Sequence, residues 1–119
     1  YHGEVTGTTK ARLVGQARAL LYPIQAAESF GLVLAEAMAC GTPVAALRRG
    51  AVNELIDDGV TGGAYDTLEE LVCGLASVLT LDRKAVRARA EQKFNIDRMV
   101  DQYLDIYSSV ITSHSTRHR

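Results

Sequence analysis

The sequence predicts an α/β fold with parallel strands and helices on both faces of the sheet. Two short apolar runs, residues 19–22 and 43–47, are continuous rather than alternating, as in strands buried on both faces. Between them, residues 32–40 are apolar nearly all round, which predicts a helix covered on both sides, and Gly41 fits the position just past its end. Strand, helix and strand in this order form a βαβ unit of a three-layer sandwich.

Shorter elements are predicted on both sides of this unit. Residues 8–17 predict a short helix before the first strand. Residues 53–58 predict a helical turn that Gly59 stops, and residues 63–65 predict a short last strand. The sheet is therefore expected to contain three or four strands.

Three helices are predicted for the rest of the chain. Thr67 and Glu70 have the spacing of a capping box, Asp82 can cap a second helix, and Asn95 can cap a long third one. The third helix carries an apolar stripe at helical spacing, which predicts a face packed in the core: Ile96, Met99, Val100, Tyr103, Leu104, Tyr107 and Ile111.

Basic side chains cluster on the second of these helices. They are Arg83, Lys84, Arg87, Arg89 and Lys93. We expect a solvated surface, and contact with an anionic membrane or substrate is the alternative.

Composition limits the class of partner. The 119 residues fit one domain, and 47% of them are hydrophobic, enough for a core. Thirteen basic and fourteen acidic side chains give a net charge of −1, so no overall field would attract nucleic acid. Two cysteines, Cys40 and Cys73, form no disulfide framework, which predicts a cytoplasmic protein. Action at the periphery of a membrane stays open.

Two glutamates in the βαβ unit are candidate ligand-binding residues. Glu36 is the only charged residue between Ser29 and Leu47, and burying an unpaired carboxylate is costly, so it should be hydrogen-bonded or reach a polar cleft. Glu28 precedes the helix, at the strand end where open α/β sheets bind ligands. Gly31 would let a diphosphate approach the helix N-terminus. Acceptors on both sides of an anion site suggest a nucleotide sugar.

Structural explanations exist for each glutamate alone. Glu28 could complement the helix dipole, worth about 0.3–1 kcal/mol. Glu36 could be a buried acid paired with a backbone donor. The joint pattern of spacing, Gly31 and the Gly41-Thr42-Pro43 turn favours the ligand site.

Residues 28–44 resemble the donor-binding signature of a known enzyme family. The two glutamates are followed by Ala37-Met38-Ala39-Cys40-Gly41-Thr42-Pro43-Val44, and this pattern is similar to that of retaining glycosyltransferases of the GT-B fold, specifically glycosyltransferase family 4 (group 1). The resemblance covers roughly residues 1–110, with residues 1–5 similar to a strand and loop before the signature. It implies the C-terminal, Rossmann-like half of a GT-B enzyme.

The resemblance also implies roles for individual residues. Glu28 would be the catalytic residue that bonds hydroxyl groups of the transferred sugar, and Glu36 would bond the ribose. The remaining donor-binding residues would be Ser29, Phe30, Gly31, Leu32 and Val33, whose backbone would hold sugar and diphosphate. The donor would be a nucleotide diphosphate sugar, with no cofactor and no metal requirement.

We expect the chain to be only part of such an enzyme. Residues 1–111 would form a partial donor-binding domain and residues 112–119 a polar tail. An upstream Gly-Arg-Leu segment and the acceptor domain would be missing, so the isolated chain should not catalyse transfer. With strands missing, an exposed sheet edge could allow self-association. A binding-only module, or a sugar-nucleotide epimerase or phosphorylase of related architecture, remains the alternative.

Other chemistries lack their motifs. The sequence has no Gly-x-x-x-x-Gly-Lys phosphate loop, no Gly-x-Ser-x-Gly nucleophile elbow and no Cys-x-x-Cys pair. His114 and His118 are four residues apart in the polar tail, without other ligands nearby, so no metal site is predicted. His2 is expected to be structural, near the edge of the cleft.

Overall fold

The computed structural model describes residues 1–117, which form six helices and three strands. In chain order these elements are α1 (Gly7–Gln16), β1 (Leu20–Tyr22), α2 (Leu32–Ala39), β2 (Val44–Leu47), α3 (Val52–Leu55), β3 (Gly62–Tyr65), α4 (Leu68–Val78), α5 (Arg83–Lys93) and α6 (Ile96–Arg117).

The three strands form one parallel sheet with β2 at its centre. Leu20 of β1 pairs with Val44 of β2, which in turn pairs with Gly62 of β3. Every residue of β2 is buried. A strand buried on both faces needs helices on both, and this is the arrangement that its continuous apolar sequence predicted.

Alternate residues of β2 contribute to two separate cores. Val44 and Ala46 belong to a cluster with side chains of α2, α3 and α5, including Leu34, Met38 and Val86. Ala45 and Leu47 belong to a second cluster with Leu71 and Val78 of α4. Because successive strand residues point to opposite faces, the sheet lies between two helical layers. The predicted three-layer α/β sandwich is confirmed.

The predicted helix caps are confirmed. The Thr67 hydroxyl group accepts from the backbone N–H of Glu70, whose side chain accepts from the Thr67 backbone, which completes the capping box of α4. Asp82 accepts from the N–H of Lys84 at the start of α5. Asn95 accepts from the backbone of Asp97 at the start of α6.

Gly41 ends α2 as predicted. Its φ of 75° is left-handed, and its N–H donates to the carbonyl group of Met38 at 2.9 Å. The N–H of Thr42 donates to the carbonyl group of Ala37, also at 2.9 Å. This pair of bonds is the Schellman motif, which turns the chain directly into β2.

Several predicted boundaries were wrong. Residues 1–6 contain no strand, although residues 1–5 were expected to resemble one. The turn predicted over residues 53–58 is the shorter helix α3, which ends at Leu55 because Ile56 is extended. Helix α6 continues to Arg117, so its backbone is helical through most of the predicted polar tail.

The apolar stripe of α6 was expected in the core, and this prediction was wrong. Every side chain from Ile96 to His114 is exposed, including Met99 at 51% and Leu104 at 56%. Helical spacing identifies an apolar face but does not identify what covers it. Within residues 1–117, the sandwich leaves this face in contact with solvent.

The basic face of α5 was expected to be a solvated surface, and this too was largely wrong. Arg83 donates to the carbonyl groups of Gly15 and Ala17 at 2.5 and 2.6 Å, and to the hydroxyl group of Thr42 at 2.9 Å. Arg89 and Lys93 form ion pairs with Asp57, while Arg87 pairs with Glu91 within the helix. Most of the face therefore joins α5 to the rest of the sandwich.

Arg83→Ala should lower the free energy of unfolding by about 2 kcal/mol, because it removes hydrogen bonds from a charged donor and leaves part-buried acceptors unpaired. Urea titration followed by circular dichroism measures this. Lys84→Ala, at the next and exposed position, is the control and should change stability by less than about 0.5 kcal/mol. Equal effects of the two variants would contradict a joining role for Arg83.

Asp57 should make stability depend on pH. Burial alone would raise the pKa of its carboxyl group, but the hydrogen bonds and charges of Arg89 and Lys93 outweigh burial and lower the pKa. A lowered folded-state pKa means that the stabilisation is complete above the unfolded-state pKa and is lost as pH falls through the folded-state pKa.

Asp57→Asn should therefore reduce the loss of stability that accompanies a fall in pH. The measurement is the urea unfolding midpoint at a series of pH values, from neutral pH down to the range in which aspartates titrate. Asp101→Asn, at an exposed position of α6, should retain the wild-type slope. If Asp57→Asn loses as much stability at acid pH as the wild type, the ion pairs of Asp57 do not contribute to the pH dependence.

Candidate functional site

The candidate site lies at the carboxyl end of β1, where the chain passes through a loop to α2. Glu28 in this loop forms an isolated parallel bridge with Gly50, and its carbonyl group accepts from the N–H of Ala51 at 2.8 Å. Gly50 has a left-handed φ of 57°, and a Cβ there would collide with the backbone of Glu28. The backbone of Glu28 is therefore held against the loop that follows β2.

The carboxylate of Glu28 is held by hydrogen bonds on both oxygens. The Tyr22 hydroxyl group donates to Oε2, and the Phe30 backbone N–H donates to Oε1 at 3.3 Å. The Tyr22 bond contributes most to lowering the pKa of Glu28, helped by N–H groups of Gly31, Phe30 and Ser29 and opposed by burial. The same bond, with burial and the carboxylate charge, raises the pKa of Tyr22.

Gly31 lets the chain enter α2 in a conformation that other residues rarely adopt. Its φ is 70°, and it is buried. A Cβ at this position would collide with Leu55 and would lie 3.4 Å from side-chain carbons of Glu28 and Leu34. The sequence indicated that this glycine would make room for a diphosphate. The structure shows that the space of the missing Cβ is filled by packing.

The start of α2 provides backbone donors. The first N–H groups of a helix have no carbonyl partner within it, so those of Leu32 and Val33 are available as donors. Leu32 is 71% exposed and Phe30 is 79% exposed, and Ser29 is exposed as well. The prediction that this helix is covered on both sides was therefore wrong. Only its face with Leu34 and Met38 is fully buried.

Glu36 lies on an exposed part of α2 and forms an ion pair with Lys10 of α1. Lys10 Nζ is 2.7 Å from Glu36 Oε2, and the two side chains are 40% and 49% exposed. The carboxylate is paired, as its apolar surroundings in the sequence required, but with a lysine and not with a backbone donor. Its partner is 26 residues away, so no local pattern indicated the pair.

A cavity of about 390 Å³ adjoins this ion pair. Its lining is mostly apolar and comes from α1 and α2 with Cys40: Gly7, Lys10, Ala11, Val14, Glu36, Ala39 and Cys40. Glu28 is not among these residues, so the two glutamates lie in different parts of the candidate site. Glu28 is a hydrogen-bonded carboxylate at the β1 end, whereas Glu36 lines the cavity together with the oppositely charged Lys10.

Within residues 1–117, no group of three or more His, Cys, Asp and Glu side chains is arranged to hold a metal ion. His2 is exposed in an irregular segment, and His118 lies outside the described residues. The same part of the chain contains no helix with the length and apolarity required to cross a membrane.

Comparison with known families identifies the class of this protein. The sequence model of the family described as "Glycosyl transferases group 1" matches residues 1–94. The chain belongs to this family, as its glutamate signature predicted.

Curated relatives carry names of sugar-transfer enzymes. A D-inositol 3-phosphate glycosyltransferase from Salinispora tropica is 38% identical over 76% of this chain and 20% of its own length. A phosphatidyl-myo-inositol mannosyltransferase from Mycobacterium leprae is 34% identical over 95% of this chain and 32% of its own length. An N-acetyl-alpha-D-glucosaminyl L-malate synthase from Bacillus anthracis is 37% identical, over 71% and 24% respectively. The chain thus spans a third or less of these relatives.

A solved structure has the same architecture. An Anabaena protein crystallised with UDP-glucose superposes with a TM-score of 0.61 and 26% identity, over 82% of this chain and 29% of that one. The GT-B type of α/β architecture predicted from the sequence is therefore confirmed for the part of the fold present here.

Replacing Gly31 should test how tightly the site loop is packed. Gly31→Ala combines a left-handed φ with a collision against Leu55, whereas Gly59→Ala has a φ of 80° and open space around the added carbon. Gly59→Ala should cost about 1–2 kcal/mol of unfolding free energy, and Gly31→Ala more. Thermal unfolding of both variants measures the difference, and an equal loss would mean that Leu55 moves aside freely.

Proposed function

We propose that this chain is the donor-binding part of a retaining glycosyltransferase, which moves a sugar from a nucleotide diphosphate sugar to an acceptor hydroxyl group. The observation that carries this proposal is the position of Glu28 and α2 at the carboxyl end of a parallel strand, the place where open α/β sheets bind nucleotides. Membership of the group 1 family and the UDP-glucose in the Anabaena structure support it.

In this proposal Glu28 is the residue that contacts the transferred sugar. Its lowered pKa keeps the carboxylate ionised at neutral pH, and an ionised carboxylate only accepts hydrogen bonds. Sugar hydroxyl groups are donors, so the two match. A fixed acceptor beside the anomeric carbon would orient the sugar for attack by the acceptor hydroxyl group.

The diphosphate would bind at the start of α2. The backbone of Phe30, Gly31, Leu32 and Val33 is close to the positive end of the helix dipole, which favours anions. Of these residues, Leu32 and Val33 have N–H groups that do not bond to Glu28. Ser29 and the exposed side chains of Phe30 and Leu32 would border the bound donor.

Glu36 would bond the ribose. Its ion pair with Lys10 is half-exposed, and exposed pairs are worth about 0–1 kcal/mol, so a ribose could take over one carboxylate oxygen at small cost. The adjoining cavity offers apolar walls to the flat face of a nucleobase.

The whole enzyme would need parts beyond this chain. An acceptor domain would close over the donor and exclude water, so residues 1–119 alone should bind but not transfer. The proposed reaction retains anomeric configuration and uses no metal ion or cofactor. The acceptor is an open part of the proposal.

Location and assembly are also part of the proposal. Cys40 and Cys73 are free thiols, which suits a reducing cytoplasm. Strand β1 bonds to β2 on one side, and Leu21 on this edge strand is 53% exposed, which suits strand addition by a second copy. The proposal also includes attachment at the periphery of a membrane. Helix α5 would contribute little to it, because most of its basic side chains are ion-paired or hydrogen-bonded within the protein.

Calorimetric titration of the chain with UDP, GDP and ADP tests the donor site. One nucleotide should bind, and Glu36→Gln should weaken it about 10–100-fold, because a charged acceptor is lost from its hydrogen bonds. Glu91→Gln is a matched control, since Glu91 is also an exposed glutamate in an ion pair. Equal binding by wild type and Glu36→Gln would contradict the ribose role.

Turnover tests the catalytic role separately. In the full-length protein, Glu28→Gln should mainly lower kcat, whereas Glu36→Gln should mainly raise KM for the donor. Unchanged kinetics in Glu28→Gln, with unchanged stability, would remove Glu28 from the reaction and favour a binding-only module.

A further inference from the structure

The side chain and the backbone of Glu28 are held by different parts of the sheet. The loop after β2 holds the backbone through Gly50 and Ala51. The side chain is held by Tyr22, the last residue of β1. Tyr22 is fixed in turn, because its backbone pairs with Ala46 of the buried central strand and its ring packs against the larger core cluster.

The Tyr22 hydroxyl group and the Phe30 backbone N–H donate to different oxygens of the Glu28 carboxylate. Oε1 accepts from the Phe30 N–H, and the N–H groups of Ser29 and Gly31 also favour the ionised form of Glu28. These donors belong to the loop that leads into α2. Without the bond on Oε2, they alone would fix the direction of the carboxylate.

We propose that Tyr22 is a positioning residue for Glu28: the Tyr22 hydroxyl group holds the carboxylate at the β1 end, where it faces the transferred sugar. This inference rests on the proposed function. It adds a residue six positions before Glu28 that acts through the glutamate, by the hydrogen bond between the two side chains.

The hydroxyl group has no packing role that a phenyl ring could not fill. The Tyr22 ring is half-buried against the core, whereas its oxygen is directed to Glu28. Phenylalanine at this position would retain the ring and the strand pairing and lose only the bond. Tyr22→Phe therefore separates positioning from folding.

The first measurement is the titration of the Glu28 side chain by carbon-detected NMR in this chain. In Tyr22→Phe the pKa of Glu28 should rise toward its ordinary value, because the largest cause of its lowering is removed. Tyr65→Phe is the matched control, since Tyr65 also ends a strand of the sheet but its pKa is raised by burial and Asp58, not by Glu28. An unchanged Glu28 titration in Tyr22→Phe would overturn the proposal.

The second measurement is turnover in the full-length protein, followed as nucleoside diphosphate released from whichever of UDP-glucose, GDP-mannose and ADP-glucose binds. Tyr22→Phe should lower kcat about tenfold with little change in donor KM, and the acid limb of its pH profile should move to higher pH. Tyr65→Phe should match wild type. A wild-type kcat and pH profile in Tyr22→Phe would overturn the positioning role even if the NMR titration moves.

Glu28→Gln distinguishes a failure of the positioning inference from a failure of the proposed function. If it lowers kcat and Tyr22→Phe does not, the positioning inference fails while the proposed function stands. If Glu28→Gln leaves kcat unchanged, the catalytic assignment fails, and the role of Tyr22 fails with it. Circular dichroism and thermal unfolding of each variant exclude misfolding as the cause of a lowered kcat.

Discussion

The burial of β2 on both faces is the constraint on which the rest of the structure depends. Val44 and Ala46 need one helical layer, and Ala45 and Leu47 need another. Because a parallel strand cannot be joined to its neighbour by a tight turn, those layers are supplied by the connections themselves. All three strands then end at the same edge of the sheet. Glu28, Gly50 and the start of α2 are brought together there without any sequence proximity between the first two.

Local signals in the sequence predicted the elements well. The capping box at Thr67, the caps at Asp82 and Asn95, and the glycine end of α2 were all found as expected, because each is a hydrogen-bond pattern within a few residues. Contacts between distant residues were not predicted. Lys10 reaches Glu36 across 26 positions, and Arg83 reaches Gly15 across 68. No periodicity links such partners, so only the folded chain reveals them.

Apolar patterns overstated burial in two places. The segment before Gly41 is apolar nearly all round, yet Leu32 is exposed, and the stripe of α6 is exposed along the described side chains. An apolar pattern identifies the face of an element that is suited to burial, but it does not identify what covers that face. The candidate site shows the same limit. Its glutamates were identified from spacing, whereas Tyr22 was predicted only as part of a strand, since nothing near it in the sequence marks a bond to a carboxylate.

Because α6 is exposed, its backbone hydrogen bonds should open at a lower free-energy cost than those of the central strand β2. Amide protons of β2 sit in a ladder between two cores, so they should exchange with solvent only when the whole sandwich unfolds. Those of α6 depend on hydrogen bonds within a 22-residue helix whose side chains, where described, face solvent, and such helices open on the microsecond scale or faster. Amides of Ile96–Arg117 should therefore exchange within the earliest time points of deuterium labelling. The long helix is thus a reporter: any partner that covers it would slow its exchange while β2 stays unchanged.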